Sequence, residues 1–112
     1  MENLSGSNTS VFTASFTKDY TEMLERDPES GPLYQIIGNT QSIMANRISY
    51  FFNLNGPSIA VDTACSASLV ALHLACQSLL CSESKQAIVG GANLILSPDM
   101  MIKMTPMRYE EI

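Results

Sequence analysis

The 112-residue sequence has few of the groups on which several classes of function depend. It contains one histidine, His73, and no cluster of lysines or arginines, and its formal net charge is −5 at pH 7. Nucleic acids and anionic membranes are bound by concentrated positive charge, so we expect neither as a partner. One histidine and three scattered cysteines also argue against a metal site.

Long apolar runs and an even set of cysteines are missing as well. No run of about 18 apolar residues occurs, which excludes a membrane-spanning helix. The C-terminal apolar stretch is interrupted at Ser97, Pro98, Asp99 and Lys103. The cysteines lie at positions 65, 76 and 81, and no signal-peptide pattern precedes them. We therefore expect a reducing compartment, the cytoplasm, and no secreted disulfide framework.

The balance of apolar and charged residues bears on domain organisation. Hydrophobic residues make up 46% of the sequence and charged residues 15%, although a chain this short has proportionally much surface to solvate. That balance is typical of a segment cut from a larger buried body. No repeat or linker divides residues 1–112, so we expect one α/β unit.

Periodicity predicts alternating strands and helices along the chain. The predicted strands are Ser10–Thr17, Ser58–Asp62 and Ala87–Leu96, and the predicted helices are Lys18–Arg26, Thr40–Phe52 and Ser66–Leu80. Asn39 or Thr40 is expected to cap the second helix. Gly90 and Gly91 would permit a bulge or the close approach of another backbone.

The predicted helix Ser66–Leu80 is apolar nearly all round, with a polar strip of only Ser66, His73 and Gln77. Such a helix is expected to be central to its fold. With the strands on either side of it, the helix forms a strand-helix-strand unit, for which a right-handed crossover is expected.

Cys65 lies between a predicted buried strand and the first turn of this helix. The thiolate is the nucleophilic form of cysteine, and the free N–H groups and partial positive charge of a helix N-terminus stabilise an anion. The small neighbours Ala64, Ser66 and Ala67 leave room for a substrate, and a backbone N–H at the turn can donate to a developing oxyanion. Cys65 is therefore a candidate nucleophile; the alternative is a buried structural cysteine.

The remaining cysteines and polar residues have simpler interpretations. Cys76 and Cys81 have no helix N-terminus beside them and are predicted to lie in the core. His73 lies about 12 Å along the helix from Cys65, too far for a hydrogen bond, so it is assigned to the polar strip. Asp62 is predicted to cap the turn before the helix. Asn46-Arg47 could make either a buried polar contact or a dimer contact.

The segment Val61–Ala75, VDTACSASLVALHLA, resembles the active-site segment of β-ketoacyl synthases. The likeness is closer to type I polyketide synthases, in particular the fungal reducing type, than to bacterial fatty-acid enzymes. It continues in Gly6–Tyr20, Gly38–Phe52, Asn55–Ser58 and Ala87–Asp99. The resemblance therefore covers nearly the whole chain, as part of the N-terminal half of a ketosynthase domain.

This resemblance implies a partial thiolase-like α/β fold, with a mixed β-sheet flanked by helices and the nucleophile at a strand-turn-helix elbow. It places the acyl-accepting nucleophile at Cys65. In the intact domain this cysteine takes an acyl chain from an acyl carrier protein, and a malonyl thioester then loses carbon dioxide and attacks the acyl group. The chain itself is expected to bind no cofactor, because the phosphopantetheine arm belongs to the carrier protein. The resemblance also implies a homodimer.

Several family features have no counterpart here. Both histidine motifs, their accompanying lysine and the glycine loop that supplies a second oxyanion donor are absent, and His73 matches neither histidine. Thr105–Ile112 departs from the family pattern, which suggests a truncated or misassembled fragment spanning residues 1–112. Ser82 replaces a glycine expected just past the helix end, where the backbone enters a left-handed conformation.

Three functions are open at this stage. The leading one is an acyltransferase piece that uses Cys65. The second is a non-catalytic interaction fragment that lacks the catalytic histidines. The third is a cysteine hydrolase, which would need a histidine within reach of Cys65.

Overall fold

The computed structural model describes residues 4–106, with the side chain of Ser30 left aside. In chain order the elements are β1 (Thr9–Ala14), α1 (Asp19–Glu25), a 3-10 turn (Pro28–Ser30), α2 (Gln35–Asn39), α3 (Gln41–Phe52), β2 (Ser58–Val61), α4 (Ala67–Leu80), β3 (Gln86–Gly91) and α5 (Asp99–Met104). Within residues 4–106, no helix has both the length and the apolar character needed to cross a membrane. The predicted α/β class, a sheet flanked by helices, is confirmed.

The three strands form a parallel sheet in the order β2-β1-β3. The chain passes from β1 to β2 through α3 and returns from β2 through α4 to β3, on the other side of β1. The first connection moves the chain across the sheet in one direction, and the second moves it back in the other. Two crossovers of the same hand that run in opposite directions place their helices, here α3 and α4, on opposite faces of the sheet. The predicted strand-helix-strand unit is present, and it passes over the central strand.

Side chains of β1 alternate between two small cores. Both clusters include residues of this strand, and every one of its six residues is buried. One cluster consists of Phe12 and Ala14 with Ala67, Ala71 and Ala75 of α4. The other consists of Val11 with Ala45 of α3 and Leu54. The central strand is therefore buried on both faces, as is typical of a parallel strand between helices.

The strands end earlier than the periodicity predicts. Ala14 pairs with both Val61 and Gly91, which are the last residues of β2 and β3. Beyond Ala14 the chain leaves the ladder, so residues 92–96 (ANLIL), which follow β3, have no strand to pair with. The predicted strand over Ala87–Leu96 is thus wrong in its second half, and the predicted strand over Ser10–Thr17 is wrong past Ala14.

Helix α4 packs on the sheet through its small side chains. The buried residues of this helix are Ala67, Ala71, Ala75 and Ser78. Among the residues described, nothing covers the opposite side, where Leu69 is 69% and Leu80 is 84% exposed. Within residues 4–106, α4 is therefore covered on one face only, and the prediction of a central helix is not confirmed there. Hydrophobicity alone does not identify which face of such a helix meets the sheet.

The same geometry corrects the assignment of two cysteines to the core. Cys76 and Cys81 are both exposed, with free thiols. Cys76 directly follows the buried Ala75, so its side chain leaves the helix about 100° away from the face that contacts the sheet. Cys81 lies past the last residue of the helix.

The end of α4 adopts the left-handed conformation expected there. Ser82 has a φ of +60°. Its N–H donates to the carbonyl of Leu79 at 3.1 Å, and the N–H of Glu83 donates to the carbonyl of Ser78 at 3.0 Å. This pair of bonds is the Schellman motif, which usually places glycine at the position of Ser82.

The start of α3 differs from the prediction. No side chain caps its first turn. The hydroxyl of Thr40 donates instead to the carbonyl of Ile36 at 2.6 Å, at the end of α2, and Asn39 is the last residue of α2. The capping interactions predicted for Asn39 and Thr40 are therefore absent from α3.

Asn46 of α3 takes part in a polar contact with the edge strand β2. Its Oδ1 accepts a hydrogen bond from the hydroxyl of Ser58 at 2.8 Å, and Asn46 itself is exposed. The contact links α3 to β2 within the chain.

Candidate active site

The turn between β2 and α4 carries Cys65 and is held by Asp62. Oδ1 of Asp62 accepts a hydrogen bond from the N–H of Ala64 at 3.1 Å. Ala64 has a φ of +54°, so the chain bends sharply just before Cys65. A carboxylate bonded to the backbone two residues later is the usual Asx turn, which tolerates such a bend. The predicted capping role of Asp62 is confirmed.

Thr63 and Ser66 secure the other side of the turn. The carbonyl of Thr63 accepts from the Ser66 hydroxyl at 2.7 Å and from the Ser66 N–H at 3.4 Å. The two hydroxyl groups are also 2.9 Å apart. The carbonyl of Ala64 accepts from the N–H of Ala67 at 3.1 Å, which begins α4. The backbone on both sides of Cys65 is thus fixed by short-range bonds.

These bonds leave the backbone N–H of Cys65 without an acceptor in the part of the chain that the structure describes. The first turn of α4 carries no acidic residue, and the carboxylate of Asp62 bonds the N–H of Ala64 on the turn before it. A free N–H at a helix N-terminus is a suitable donor to an oxyanion.

Cys65 is exposed and lines a recess of about 430 Å³. On the α4 side, the recess is bounded by Ala64, Cys65, Ala67 and Ser68. On the sheet side, it is bounded by the residues that leave β1 and β3, namely Ala14, Ser15, Phe16, Gly91, Ala92 and Asn93. Most of these side chains are small, so the thiol is open to a reactant of moderate size.

Gly91 allows the two sides of the recess to approach each other. A Cβ added at this position would lie 3.0 Å from the Cβ of Ser68. The close neighbour of Gly91 is thus a side chain, while the backbone of Ser68 lies at an ordinary 3.8 Å; a Cβ added at Gly90 would meet open space.

His73, Cys76 and Cys81 are exposed and do not line this recess. The prediction that His73 does not partner Cys65 agrees with this placement. Within residues 4–106 no three histidine, cysteine or carboxylate side chains lie close enough together to hold a metal ion.

Sequence reasoning missed the sheet side of the recess. Ser15, Phe16, Ala92 and Asn93 follow β1 and β3, and each reaches the recess because parallel strands end at one edge of the sheet. Binding sites of parallel α/β sheets commonly lie beyond this carboxyl edge. These four residues could have been predicted from the ends of the two predicted strands, but not from a sequence motif.

Comparison with known proteins agrees with this arrangement. The model of the family described as "Beta-ketoacyl synthase, N-terminal domain" matches residues 1–110. A reducing polyketide synthase of Cochliobolus heterostrophus is 56% identical over 111 residues, which is 97% of this chain and 4% of that protein. The compactin diketide synthase of Penicillium citrinum is 52% identical over 109 residues, again 97% of this chain and 4% of the relative.

Solved structures show the same likeness. The ketosynthase from module 6 of the bacillaene synthase from Bacillus subtilis 168 superposes with a TM-score of 0.81 at 38% identity, covering 95% of this chain and 17% of that one. The oxazolomycin ketosynthase domain from Streptomyces albus JA3453 gives a TM-score of 0.74 at 34% identity, covering 89% and 17% respectively. The chain thus spans a small part of the relatives that it matches. On these matches, the chain belongs to the β-ketoacyl synthase family, as part of the N-terminal domain of a polyketide-synthase ketosynthase.

Proposed function

We propose that this chain supplies the acyl-accepting cysteine of a chain-elongating ketosynthase, and that this cysteine is Cys65. The observation that carries the proposal is the position of the thiol, exposed in a recess at the N-terminus of α4. The other two cysteines are exposed but lie away from that helix terminus.

The proposed step is transfer of an acyl group between two sulfurs. The Cys65 thiol loses its proton to solvent, and Sγ attacks the thioester carbonyl carbon. The carbonyl oxygen takes the negative charge and accepts a hydrogen bond from the Cys65 N–H, which has no acceptor among the described residues. The bond from carbon to the donor sulfur then breaks, and the departing thiolate takes a proton from solvent. Cys65 is left as a thioester.

In the intact domain we propose that the acyl-Cys65 thioester is attacked after decarboxylation of a malonyl thioester. The acyl and malonyl groups would arrive on the phosphopantetheine arm of an acyl carrier protein, and the domain would act as a homodimer. Family membership supports these partners. We also propose a cytoplasmic location, because three free cysteines suit a reducing compartment.

The test is acylation of the 112-residue chain by hexanoyl-pantetheine, followed by intact-mass spectrometry. We expect one hexanoyl adduct, which is lost in Cys65→Ala. Cys76→Ala and Cys81→Ala are matched controls, since those thiols are equally free and also exposed. Both control variants should keep the adduct.

Two results would contradict the proposal. One is an adduct that persists in Cys65→Ala, which would show that any exposed thiol of this chain reacts. The other is no adduct on the wild-type chain while a methanethiolsulfonate reagent still labels Cys65, which would show an accessible thiol that the thioester does not acylate.

A second candidate function is a non-catalytic interaction chain. The observation that favours it is the uncovered apolar side of α4, which includes Leu69, Leu72, Leu79 and Leu80. Exposed apolar surface of this kind commonly marks an interaction site. A chain that fails the acylation test would be left with this function.

A further inference from the structure

Asn93 lines the recess that contains Cys65, and described residues use only the oxygen end of its side-chain amide. Its Oδ1 accepts hydrogen bonds from the N–H of Thr17 at 3.0 Å and from the Thr17 hydroxyl at 2.7 Å. Both bonds connect the segment that leaves β3 to the segment that leaves β1.

The orientation of this amide follows from the chemistry of its partner. A backbone N–H can only donate, so the Asn93 atom facing it must be the oxygen. The nitrogen Nδ2, which carries two N–H donors, is then the end of the amide that does not bond Thr17. No acceptor among residues 4–106 takes a hydrogen bond from Nδ2. A residue that lines the recess therefore has an amide donor end that no described residue uses.

The segment that follows Asn93 is anchored to the segment that leaves β1. The Thr17 hydroxyl also lies 3.0 Å from the carbonyl of Leu94. Further on, Oδ2 of Asp19 accepts from the N–H groups of Leu96 at 3.0 Å and Ser97 at 3.2 Å. Asp19 is buried, and the two hydrogen bonds that it accepts are partly buried. A donor held in this way pays little ordering entropy when a ligand binds.

We propose that Asn93 is a substrate-orienting residue whose Nδ2 donates a hydrogen bond to a carbonyl oxygen of the thioester that enters the recess. This inference rests on the proposed acylation of Cys65. Two carbonyl groups of such a substrate have the right chemistry: that of the acyl group, and an amide carbonyl of the pantetheine arm. In either position the bond holds the thioester beside Sγ of Cys65.

The test is the kinetics of acylation of the full chain, with Asn93→Asp as the main variant. Aspartate has nearly the same shape and still accepts from Thr17, but it has no N–H to donate and it carries a negative charge. The concentration of hexanoyl-pantetheine that half-saturates acylation should rise about 3- to 10-fold, the effect of losing one ordinary hydrogen bond. The limiting rate should change less.

A second reagent separates this role from a structural or electrostatic one. A methanethiolsulfonate labels Cys65 without presenting a carbonyl group, so its rate reports only the access and reactivity of the thiol. We expect Asn93→Asp to slow the thioester reaction and to leave the reagent's rate within about twofold of wild type, as a loss confined to one hydrogen bond requires. Asn46→Asp is the matched control, because its Oδ1 also accepts a hydrogen bond and it lies outside the recess.

A second substrate identifies which carbonyl is bound. The hexanoyl thioester of ethanethiol has the acyl carbonyl and no amide. If Asn93→Asp weakens both substrates, the acyl carbonyl is the partner; if it weakens only the pantetheine thioester, the arm is the partner.

Three results would overturn the inference. One is wild-type half-saturation in Asn93→Asp, and another is an equal slowing of thioester and methanethiolsulfonate, which would assign the effect to the structure of the recess or to the charge of the aspartate. In both cases acylation of Cys65 would still stand. The third is a wild-type chain that hexanoyl-pantetheine does not acylate, which removes the proposed function and this inference with it.

Discussion

At the scale of single residues, a non-glycine residue with a left-handed backbone conformation lies near each end of α4. Ala64 precedes Cys65 with a φ of +54°, and Ser82 follows the helix with a φ of +60°. For an L-residue with a Cβ, such a conformation costs about 1 kcal/mol. The two positions differ in purpose, since Ala64 forms the bend that presents the thiol and Ser82 only ends the helix. Strain at a reactive turn is a common feature of functional sites.

Replacing Ser82 by glycine should stabilise the chain. Glycine enters the left-handed region without the Cβ penalty, so Ser82→Gly should raise the free energy of unfolding by about 0.5–1 kcal/mol, net of the extra entropy of the unfolded chain. Urea denaturation followed by circular dichroism measures the change. Ser82→Ala is the control and should give no gain; equal stability of the glycine and alanine variants would contradict the explanation.

At the scale of elements, α4 approaches the sheet through alanines because only a small side chain fits between a helix and a strand at that distance. Ala71 is fully buried in the cluster that includes Phe12 of β1. The leucines on the other side of the helix make no comparable contact, so the stability of α4 depends on a narrow face.

Enlarging a residue of this narrow face should therefore be costly. Ala71→Leu should lower the free energy of unfolding by about 1–3 kcal/mol, because the added carbons have no space and must displace the helix or the strand. Leu80→Ala is the control, since that side chain is 84% exposed, and its effect should stay within about 0.5 kcal/mol. Urea midpoints of the two variants test the contrast, and a larger loss for Leu80→Ala would reverse the assignment of faces.

At the scale of the whole molecule, hydrogen bonds and ion pairs connect the segment that leaves β1 to the segment that leaves β3, although the two are far apart in sequence. Asp19 bonds Leu96 and Ser97, which are 77 and 78 residues away in sequence. Two surface ion pairs, Arg26–Asp99 and Lys103–Glu22, join the same segments. Exposed ion pairs contribute little to stability, so the buried carboxylate of Asp19 is the main link.

Removing that carboxylate should loosen the segment that carries Asn93. Asp19→Ala leaves the two N–H groups of Leu96 and Ser97 without an acceptor, which should cost about 1–3 kcal/mol. Amide hydrogen exchange at these two residues should speed up markedly more than exchange in β1. Asp19→Asn keeps an acceptor and should have a smaller effect; protection of Leu96 and Ser97 that survives in Asp19→Ala would contradict this role.

The sequence by itself determined the order of the three strands and of helices α1, α3 and α4, and the position of Cys65 at the turn before α4. These features depend on periodicity and on interactions between residues a few positions apart, which a local pattern records. The family resemblance was also contained in the sequence, and comparison with known proteins confirmed it.

Only the tertiary structure decided where the strands end, which side of α4 meets the sheet and what lies opposite Cys65. β3 stops at Gly91 because its partner β1 stops at Ala14, and no property of residues 92–96 reveals that limit. Cys76 is exposed because an apolar helix contacts the sheet on one face only. Asn93 and Thr17 meet because two parallel strands end at the same edge of the sheet, although the two residues lie 76 positions apart. Such contacts depend on the pairing of distant segments, so no single segment specifies them.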